Sequence, residues 1–489
     1  MNRRWLKRLA ALVAVLAALG AAALLVAFGN WYTTRQTDAR RLQEALAQLD
    51  ADDPDWHVVG VVKAHNAAIP ADDTKNATML TLAALGWRPG SWKARQNATG
   101  SNQIPALEWD DDRLPHDDEF CSLYEVHVES DRAHDEAFAA RKSPTGGLPF
   151  RFGEPDPFGT LMPELQRIRE AYGLFQDYAT VEAYLGRGDE ALRAADACLH
   201  FAEASLATEP CLISQLVRNA GCSIAIGSAR KTLAWAEPTE ELPRMQRAFA
   251  EAAATDGITP AARGERAAVM RVFDNMRWGA LPADYLESVD VLARAGTAKS
   301  DWDRLRQRFD APNRVRQEEA LLKLHNALVA AMKLRGPDRR SACDAALDAA
   351  SPDIAKLTPT VTTCVKADDR LKAALLCASA GMACERYRRQ FGHFPTSLAE
   401  VPASILASIP NDPFNGRTLG YRVLADGASV YSVGPDGRHR GTPDETVSVR
   451  DSQIYSFRLW NPESRRRPPM PRPEPEPDPD DLLDKLGEP

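Results

Sequence analysis

The sequence predicts a mainly α-helical protein with three parts: an N-terminal transmembrane helix, a body of helical hairpins and a small C-terminal α+β domain. The transmembrane helix is predicted by an unbroken apolar run over residues 9–28. The body is predicted by the alanine- and leucine-rich helical periodicity of residues 161–365. The C-terminal domain is predicted by a helix and two short strands with an Asp-Gly turn between them, within residues 366–450.

The N-terminal apolar run is long enough to cross a bilayer, because helical residues rise about 1.5 Å each and the hydrocarbon layer is about 30 Å thick. Basic residues precede the run and favour a cytoplasmic N-terminus, while Trp31 and Tyr32 suit the opposite headgroup layer. We therefore expect a single-pass membrane protein with residues 1–8 in the cytoplasm and residues 9–29 in the membrane as a signal-anchor. The bulk of the chain then lies on the extracytoplasmic (periplasmic) side.

The alternative for the apolar run is a cleaved signal peptide. Small residues permit cleavage after Ala23 or after Gly29. The run is longer than the usual apolar region of a signal peptide, which has about 7–15 residues, and this favours the uncleaved anchor. Both alternatives export the bulk of the chain.

Composition narrows the class of function. The net charge is −8 over 489 residues, without the basic face of a nucleic-acid-binding protein. The eight cysteines lack the Cys-x-x-Cys or Cys/His spacing of a structural zinc site. Cys198 and Cys222 would face each other in an antiparallel helix pair and form a disulfide, and buried free thiols are the alternative. The His-Glu-x-x-His, Gly-x-Ser-x-Gly, P-loop and Rossmann motifs do not occur.

The body contains one recognisable helical hairpin. Residues 30–160 mix short helices with loops, and residues 161–365 predict helices separated by proline and glycine. Residues 183–202 (AYLGRGDEALRAADACLHFA) predict a helix, a tight glycine turn and a second helix capped by Asp189. This stretch resembles the junction of a tetratricopeptide repeat, although no period of about 34 residues follows. The resemblance implies a degenerate array of helical hairpins, an architecture that binds peptides and protein surfaces.

Two polar segments of the body, EPCLISQLVR (209–218) and RGER (263–266), lie within helical apolar patterns. One interpretation is a cleft between helices that binds a peptide or a small molecule and contains an Arg–Glu pair. The other is a buried polar network that fixes the register of the helices. The candidate residues are Ser214, Gln215, Arg218, Glu265 and Arg266.

The C-terminal domain has the clearest local signals. A helix over 369–391 ends before Gly392, residues 397–400 predict a short capped helix, and strands follow at 419–424 and 429–433. The motifs ERYRRQFGHFPTSLAEV, IPNDPFNGRTLGYRV and SVYSVGPDGRHRG resemble the globular head of major pseudopilins from type II secretion systems. The resemblance implies a helix packed on a small antiparallel sheet, closed by a loop that often holds calcium.

The pseudopilin resemblance also implies where calcium would bind. The candidate ligands are the Val433 carbonyl, Asp436, Asp444 and Glu445. Calcium takes about six to eight oxygens, and the same loop carries Arg438 and Arg440, so an empty turn is the alternative. No other cofactor is expected. Because no pseudopilin processing site precedes Leu9, we expect no assembly into a pilus-like filament.

The whole architecture resembles an uncharacterised bacterial membrane-anchored family with one N-terminal membrane helix, an alanine-rich helical body and this pseudopilin-like domain. The resemblance spans most of residues 30–450 and carries no known activity. Beyond it, residues 462–489 form a segment rich in proline and acidic residues that cannot bury a core. We therefore predict disorder in this tail.

These observations predict a membrane-tethered, extracytoplasmic interaction or scaffold protein. Its expected partners are the membrane, through the N-terminal helix, and other proteins of the cell envelope, with no nucleic acid. The alternative is an extracytoplasmic hydrolase with its site in the polar cleft of the body. The missing catalytic motifs favour the interaction protein over the enzyme.

Overall fold

Apolar residues that recur at helical spacing along most of the chain produce the observed secondary structure. The computed structural model of the chain describes residues 3–90, 113–282, 285, 311–355, 358–439 and 455–471. Within these residues the protein is mainly helical with a three-stranded antiparallel sheet near the C-terminus, which confirms the predicted fold class. The helices are α1 (Arg3–Asp52), α2 (Val58–Ala68), α3 (Ala77–Ala84), α4 (Asp117–Glu129), α5 (Asp131–Ala140), α6 (Glu164–Tyr184), α7 (Gly188–Leu206), α8 (Leu212–Trp235), α9 (Leu242–Ala254), α10 (Ile258–Arg277), α11 (Ala311–Met332), α12 (Gly336–Ala349) and α13 (Pro359–Phe391). The strands are β1 (Gly420–Leu424), β2 (Gly427–Tyr431) and β3 (Ser456–Trp460).

Helix α1 joins the apolar run and the polar helix that follows it into one uninterrupted helix of 50 residues. Its apolar part is exposed and is long and apolar enough to span a membrane. Its C-terminal end, by contrast, packs on the body, with Leu42 and Leu49 buried. The helix continues through Gly29 because a single glycine costs a helix only about 1 kcal/mol.

Helices α6, α7 and α8 pack consecutively against one another in the body. The connection from α6 to α7 is the predicted tight turn, and Gly186 takes the left-handed conformation there (φ 80°). Asp189 does not cap α7, because α7 already begins at Gly188. Its carboxylate instead accepts backbone N–H bonds from residues 239–241 at 2.9–3.0 Å and orders the turn that leads into α9.

Two hydrophobic cores hold these elements together. The sheet-side core combines α6 to α9, the second half of α13 and the sheet, and it includes Phe175, Leu192, Phe249, Leu375 and Phe457. The anchor-side core combines the end of α1 with α10, α11, α12 and the start of α13, and it includes Leu49, Phe273, Leu322, Leu328 and Val361. Helix α13 therefore belongs to both cores.

The C-terminal sheet has the order β1-β2-β3 and lies against α13. The β1–β2 hairpin pairs Leu424 with Gly427 across a turn that contains Asp426, and β2 pairs Val430 with Phe457 of β3. Gly381 of α13 permits this packing, because a Cβ there would lie 2.4 Å from the Phe457 ring. The helix-on-sheet arrangement thus depends on a glycine in the middle of a long helix.

Three predicted boundaries differ from the structure. Helix α13 begins at Pro359 rather than at residue 369, because its first turns pack in the anchor-side core. Strand β3 lies beyond residue 450 and was not predicted, because the five-residue segment SFRLW has no turn signal of its own. Residues 397–400 form a single 3₁₀ turn, Leu398–Glu400, rather than a capped α-helix.

The beginning of the predicted tail is also ordered against the body. Residues 462–464 form a 3₁₀ turn, and Arg465 is 9% exposed. The Arg466 backbone N–H donates to the carbonyl of Ala234 at 2.9 Å, and Leu114 donates to the carbonyl of Arg467 at 2.8 Å. The rest of the predicted tail, residues 472–489, lies outside the described residues.

Candidate functional site

The first candidate residues, at the start of α8, are buried rather than exposed in a cleft. Ser214, Gln215 and Arg218 are each at most 2% exposed. The Ser214 hydroxyl donates to Glu209 at 2.7 Å, and the Gln215 amide donates to a carbonyl in the last turn of α7 at 2.7 Å. Arg218 forms an ion pair with Glu203 at 2.8 Å. These contacts tie α8 to the end of α7, which is the buried polar network that the sequence left as an alternative.

The remaining candidates lie on α10 and contact other partners. Arg266 is 3% exposed, forms an ion pair with Asp53 and donates to the Asn326 side chain at 2.9 Å. Burial raises the pKa of Glu265 to about 7. The predicted Arg–Glu pair is therefore made by Arg218 with Glu203, a residue outside the predicted set.

Glu209 is a polar residue that the sequence analysis missed as a member of the network. It is 6% exposed, and burial raises its pKa to about 7, although the hydrogen bond from Ser214 opposes this shift. A carboxyl group beside a serine hydroxyl is an arrangement that general acid–base chemistry can use. Ser214, however, has no exposed surface, so a substrate cannot reach this pair while α7 and α8 stay packed. In the sequence, Glu209 begins the polar segment 209–218 and directly precedes Pro210, but it was not among the candidate residues.

All eight cysteines are free, and two of them, Cys198 and Cys222, lie in α7 and α8. Cys198 donates to the Gly221 carbonyl at 3.6 Å, and Cys222 lies 3.4 Å from the Glu203 carboxylate. The Cys198–Cys222 disulfide is therefore not formed. Six of the eight thiols are buried, Cys211 is half-buried and Cys121 is exposed.

The junction between α1 and the body is built from charged residues. Asp53, directly after α1, accepts from Arg263 Nε at 2.9 Å and from Arg266. Burial alone would raise the pKa of Asp53, but the hydrogen bonds and charges of the two arginines outweigh it and hold this pKa below its ordinary value. Fifteen residues before Asp53 in the chain, Asp38 of α1 is buried and forms an ion pair with Arg316 of α11 at 3.0 Å. The Asp53 cluster and the Asp38–Arg316 ion pair thus fix the helix on the body.

A second buried ionic cluster joins α12 to α13. Arg339 is 1% exposed and forms ion pairs with Asp368, at 2.7 Å, and with Asp369. Lys372 adds a further pair with Asp368 at 2.9 Å. Burial opposes a low pKa at Asp368, but the charges of Lys372 and Arg339 outweigh it and hold this pKa below its ordinary value. This cluster lies where α13 passes from the anchor-side core into the sheet-side core.

The residues after β3 complete a third cluster. Glu385 of α13 has no exposed surface and forms ion pairs with Arg388 at 2.6 Å and with Arg465 at 2.9 Å. Arg465 also donates to the Ala236 carbonyl at the end of α8. Because a buried carboxylate needs such partners, residues 462–467 are part of the fold rather than the start of a free tail.

The loop predicted to bind calcium is held by a hydrogen bond to Asp412, which is not one of the predicted ligands. Val433 and Asp436 are described, while Asp444 and Glu445 lie outside the described residues. The Val433 carbonyl accepts from the His439 backbone N–H at 3.1 Å, and the Val433 N–H donates to Asp412 at 2.8 Å. In the part of the chain that the structure describes, no group of three or more His, Cys, Asp or Glu residues is arranged to hold a metal ion.

Two histidines pack in the interior near α6. His127 of α4 and His134 of α5 have ring centroids 5.2 Å apart, and both are buried. Glu182 lies 3.5 Å from His127. Burial, reinforced by the charge of His127, lowers the pKa of His134 to about 3. His134 is therefore neutral in the folded protein over the physiological range.

Several surface grooves formed by the described residues are large enough to receive a ligand. One, of about 610 Å³, lies between α11 and the end of α12. Another, of about 500 Å³, lies where α9, α12 and α13 meet the loop that precedes β1, and we call it the basic groove. Its lining includes Lys333, Leu334, Arg335, Asn411 and Pro413. Neither Glu209 nor Glu265 lines either groove.

Lys333 and Arg335 give the basic groove its character. Both side chains are exposed, and neither forms an ion pair with any residue that the structure describes. The other cations of the groove, Arg339 and Lys372, are neutralised by Asp368 and Asp369. The groove therefore presents the positive charges of Lys333 and Arg335 beside apolar surface from α9 and α13, with the carboxylate of Asp256 as the exposed acidic group in its lining.

No protein-family model, no curated protein and no solved structure matches the chain. The resemblances to tetratricopeptide repeats and to pseudopilin heads accordingly stay predictions. The geometry of the junction and of the basic groove is the basis for a functional proposal.

Proposed function

We propose that the chain is a membrane-tethered interaction protein whose body lies on the extracytoplasmic side and binds an acidic segment of an envelope protein in the basic groove. The orientation follows from the basic residues that precede the apolar run. The observation that carries the proposal is the junction, where the helix that can span a membrane enters the core of the body without a hinge.

A one-piece anchor suits a protein that presents a binding surface. Leu42 and Leu49 bury one side of α1, and the Asp38 and Asp53 ion pairs fix its register. A flexible linker would let the body sample many positions, whereas this helix holds it at one height and in one orientation. A partner embedded in or attached to the same membrane then meets the groove at a defined distance.

The basic groove supports an acidic polypeptide as the ligand. Lys333 and Arg335 are the unpaired charges, and Leu334 between them is 44% exposed. Opposite charge steers association and fixes the register of a bound segment, while the apolar lining contributes burial. The groove also lies between the helical body and the C-terminal domain, so one bound segment would contact both.

The hydrolase alternative has one observation in its favour, the hydrogen bond between Ser214 and Glu209. It requires α7 and α8 to separate before a substrate reaches the serine, because Ser214 is fully buried. Binding in the basic groove requires no such opening. We therefore favour the interaction protein, and Ser214→Ala should leave binding in the groove unchanged.

The proposal is tested with a defined acidic probe. Full-length protein in lipid nanodiscs is titrated against fluorescent poly-glutamate peptide, with poly-glutamine as the uncharged control, and binding is followed by anisotropy. We expect binding that weakens with salt and that Lys333→Glu/Arg335→Glu weakens at least about tenfold. The control variant Lys63→Glu/Lys142→Glu makes the same change in net charge at exposed sites outside the groove. Equal loss in both variants would mean that net charge, not the groove, binds the peptide.

The partner itself is captured by site-specific photocrosslinking in cells. A crosslinking amino acid at Leu334 (44% exposed) is compared with one at Leu185 (41% exposed), which lies after α6 and outside the groove. We expect a discrete product from position 334 only, and its loss in Lys333→Glu/Arg335→Glu. The same products from both positions, or products that survive the charge reversal, would contradict the proposal.

A further inference from the structure

Trp278 lies directly after α10 and is 82% exposed. A side chain with such a large apolar surface is usually at least partly covered, and an indole is well suited to the headgroup layer of a membrane, where one end is apolar and the other wet. The position of Trp278 relative to the membrane follows from the contacts that α1 makes with α11 and α10.

Helices α1 and α11 run in the same direction. Asp38 forms an ion pair with Arg316, near the start of α11. Fifteen residues later, Asp53 forms an ion pair with Arg266, whose guanidinium also binds Asn326 near the end of α11. The start of α11 is therefore the end of the body that faces the membrane.

Helix α10 runs the opposite way. Arg266, in its first half, is level with Asn326, whereas Arg277 at its end forms an ion pair with Glu318 near the start of α11. The C-terminal end of α10, and with it Trp278, is accordingly on the membrane-facing side of the body.

The rise per residue of an α-helix gives the distance between Trp278 and the end of the apolar run. Asp38 lies about 15 Å beyond Phe28, where the apolar run ends, at about 1.5 Å per residue. Counting from Asp38 along α11 to Asn326 and then back along α10 from Arg266 puts the Trp278 backbone about 12 Å beyond Phe28, whereas counting from Asp53 back along α10 puts it about 20 Å beyond Phe28. The headgroup layer extends about 5–7 Å from the hydrocarbon, so the lower figure leaves the indole within about one side-chain length of it.

Among the described residues, the arginines next to Trp278 are paired: Arg277 with Asp274 and Glu318, and Arg316 with Asp38. Arg35 of α1 is exposed closer to the membrane, so an uncharged lipid is needed to measure the contact of the indole apart from charge attraction.

We infer that the body rests on the membrane it is anchored in, with Trp278 inserted into the headgroup layer as a second contact beside α1. This contact adds a fixed point to the α1 junction and prevents the body from tilting about the helix. It rests on the proposed membrane anchoring, and the experiment below separates the two.

The experiment uses full-length protein in nanodiscs of phosphatidylcholine, an uncharged lipid, with and without a headgroup-spin-labelled lipid as quencher. A single fluorescent probe is attached to a cysteine at Tyr32, Ala280 or Val59, and position 280 is exposed and lies two residues after Trp278, so that the indole is kept. The background carries serine at the exposed Cys121 and the half-buried Cys211, since the other cysteines are buried. Val59 is 78% exposed and follows the far end of α1, so it is the matched control. Thermal unfolding confirms that each labelled protein is folded.

We expect the spin-labelled lipid to quench the probe at position 280 to within about twofold of the probe at position 32, and to leave position 59 unquenched. Quenching at 32 without quenching at 280 would overturn the inference and leave the membrane anchor intact. No quenching at either position would overturn both the inference and the anchor. Quenching at all three positions would mean that the body lies on the membrane by another face, which also contradicts the inference.

Discussion

The two hydrophobic cores of the molecule differ in how their ion pairs are exposed. In the anchor-side core two of the three arginines that hold α1 are accessible, with side-chain exposures of 30% for Arg263 and 57% for Arg316, while Arg266 is 3% exposed. In the sheet-side core the Glu385–Arg465 pair is inaccessible, at 0% and 3%. Exposed pairs contribute little and break at little cost, whereas breaking a buried pair leaves an uncompensated charge. The outer ion pairs of the anchor-side core therefore hold α1 less firmly than the buried pair holds the sheet-side core, and the buried Arg266 together with Leu42 and Leu49 supplies the rest of the docking.

The two cores are not independent, because α13 passes through both. Val361 belongs to the anchor-side core and Leu375 to the sheet-side core. The Arg339 cluster lies between these two positions on the helix. A disturbance there should reach both cores, while a disturbance within one core should remain there.

The largest effect is expected from Arg339→Ala. It leaves the carboxylates of Asp368 and Asp369, each 3% exposed, buried without their arginine. Removing one partner of a buried pair costs about 3–5 kcal/mol of unfolding free energy. Arg340→Ala on the same helix is the control, because its side chain is 31% exposed and lies 4.0 Å from Asp369. Denaturant unfolding of the full-length protein in nanodiscs measures both, and equal losses would contradict the role of the cluster.

A smaller loss of stability is expected from one leucine-to-alanine substitution in each core, and it tests whether the two cores unfold independently. Leu375→Ala opens a cavity in the sheet-side core, where the side chain has no exposed surface, and should cost about 3 kcal/mol of global stability. Leu49→Ala makes the same change in the anchor-side core, where Leu49 is 3% exposed. Because Leu49→Ala first weakens the docking of α1, part of its cost should appear as local opening of this helix rather than as global unfolding. Hydrogen exchange in α1 should respond to Leu49→Ala only, and a common response would show one core rather than two.

Much of the fold was predictable because its signals are local. The apolar run of α1, the end of α13 at Gly392 (φ 84°) and the Asp426-Gly427 turn are each encoded in a few adjacent residues. Strand β3 has no such signal, since its strand character depends on pairing with β2. The early start of α13 likewise depends on packing against α11 and α12, which is remote in sequence.

The sequence indicated which polar residues lie within the apolar helices, but it did not indicate which residues they contact. Arg218, Arg263 and Arg266 were recognised as polar residues in apolar helices. Their partners are Glu203 and Asp53, and Asp53 is 210 residues from Arg263. No periodicity connects residues so far apart, because such a contact is decided by tertiary packing. The basic groove escaped prediction for the same reason, since its lining comes from four separate segments.

A third and weaker effect is expected at the junction itself. Asp53→Asn keeps a hydrogen-bond acceptor but removes the charge that faces Arg263 and the buried Arg266, and it should weaken docking of α1 by about 2 kcal/mol. Asp55→Asn, at an exposed position two residues later, is the control. Hydrogen exchange of residues 42–52 should accelerate only in Asp53→Asn, with global unfolding nearly unchanged. Because the pKa of Asp53 lies below its ordinary value, wild-type docking should weaken only when the pH falls below the ordinary carboxyl range.

The smallest effect is a difference in how two regions respond to pH. His134, packed beside the sheet-side core, has a folded pKa of about 3, and an unfolded histidine titrates near about 6.5. The unfolded state therefore binds more protons below about pH 6.5, and His134 contributes a loss of stability of about 1.4 kcal/mol per pH unit on acidification. His134→Phe should remove this contribution.

The contribution of Glu209 to stability changes with pH in the opposite direction to that of His134. Its folded pKa of about 7 exceeds the value for an unfolded carboxyl, so its contribution is present in acid and is lost as the pH rises through about 7. Between pH 5 and 6.5 the two contributions nearly cancel in the wild type, which is why single variants are needed to see either. His134→Phe should make stability rise on acidification relative to wild type, and Glu209→Gln should make it fall, each by about 1.4 kcal/mol per pH unit. Parallel curves of stability against pH for both variants and the wild type would show that neither group keeps its buried, neutral state. The difference between the two cores would then rest on their ion pairs alone.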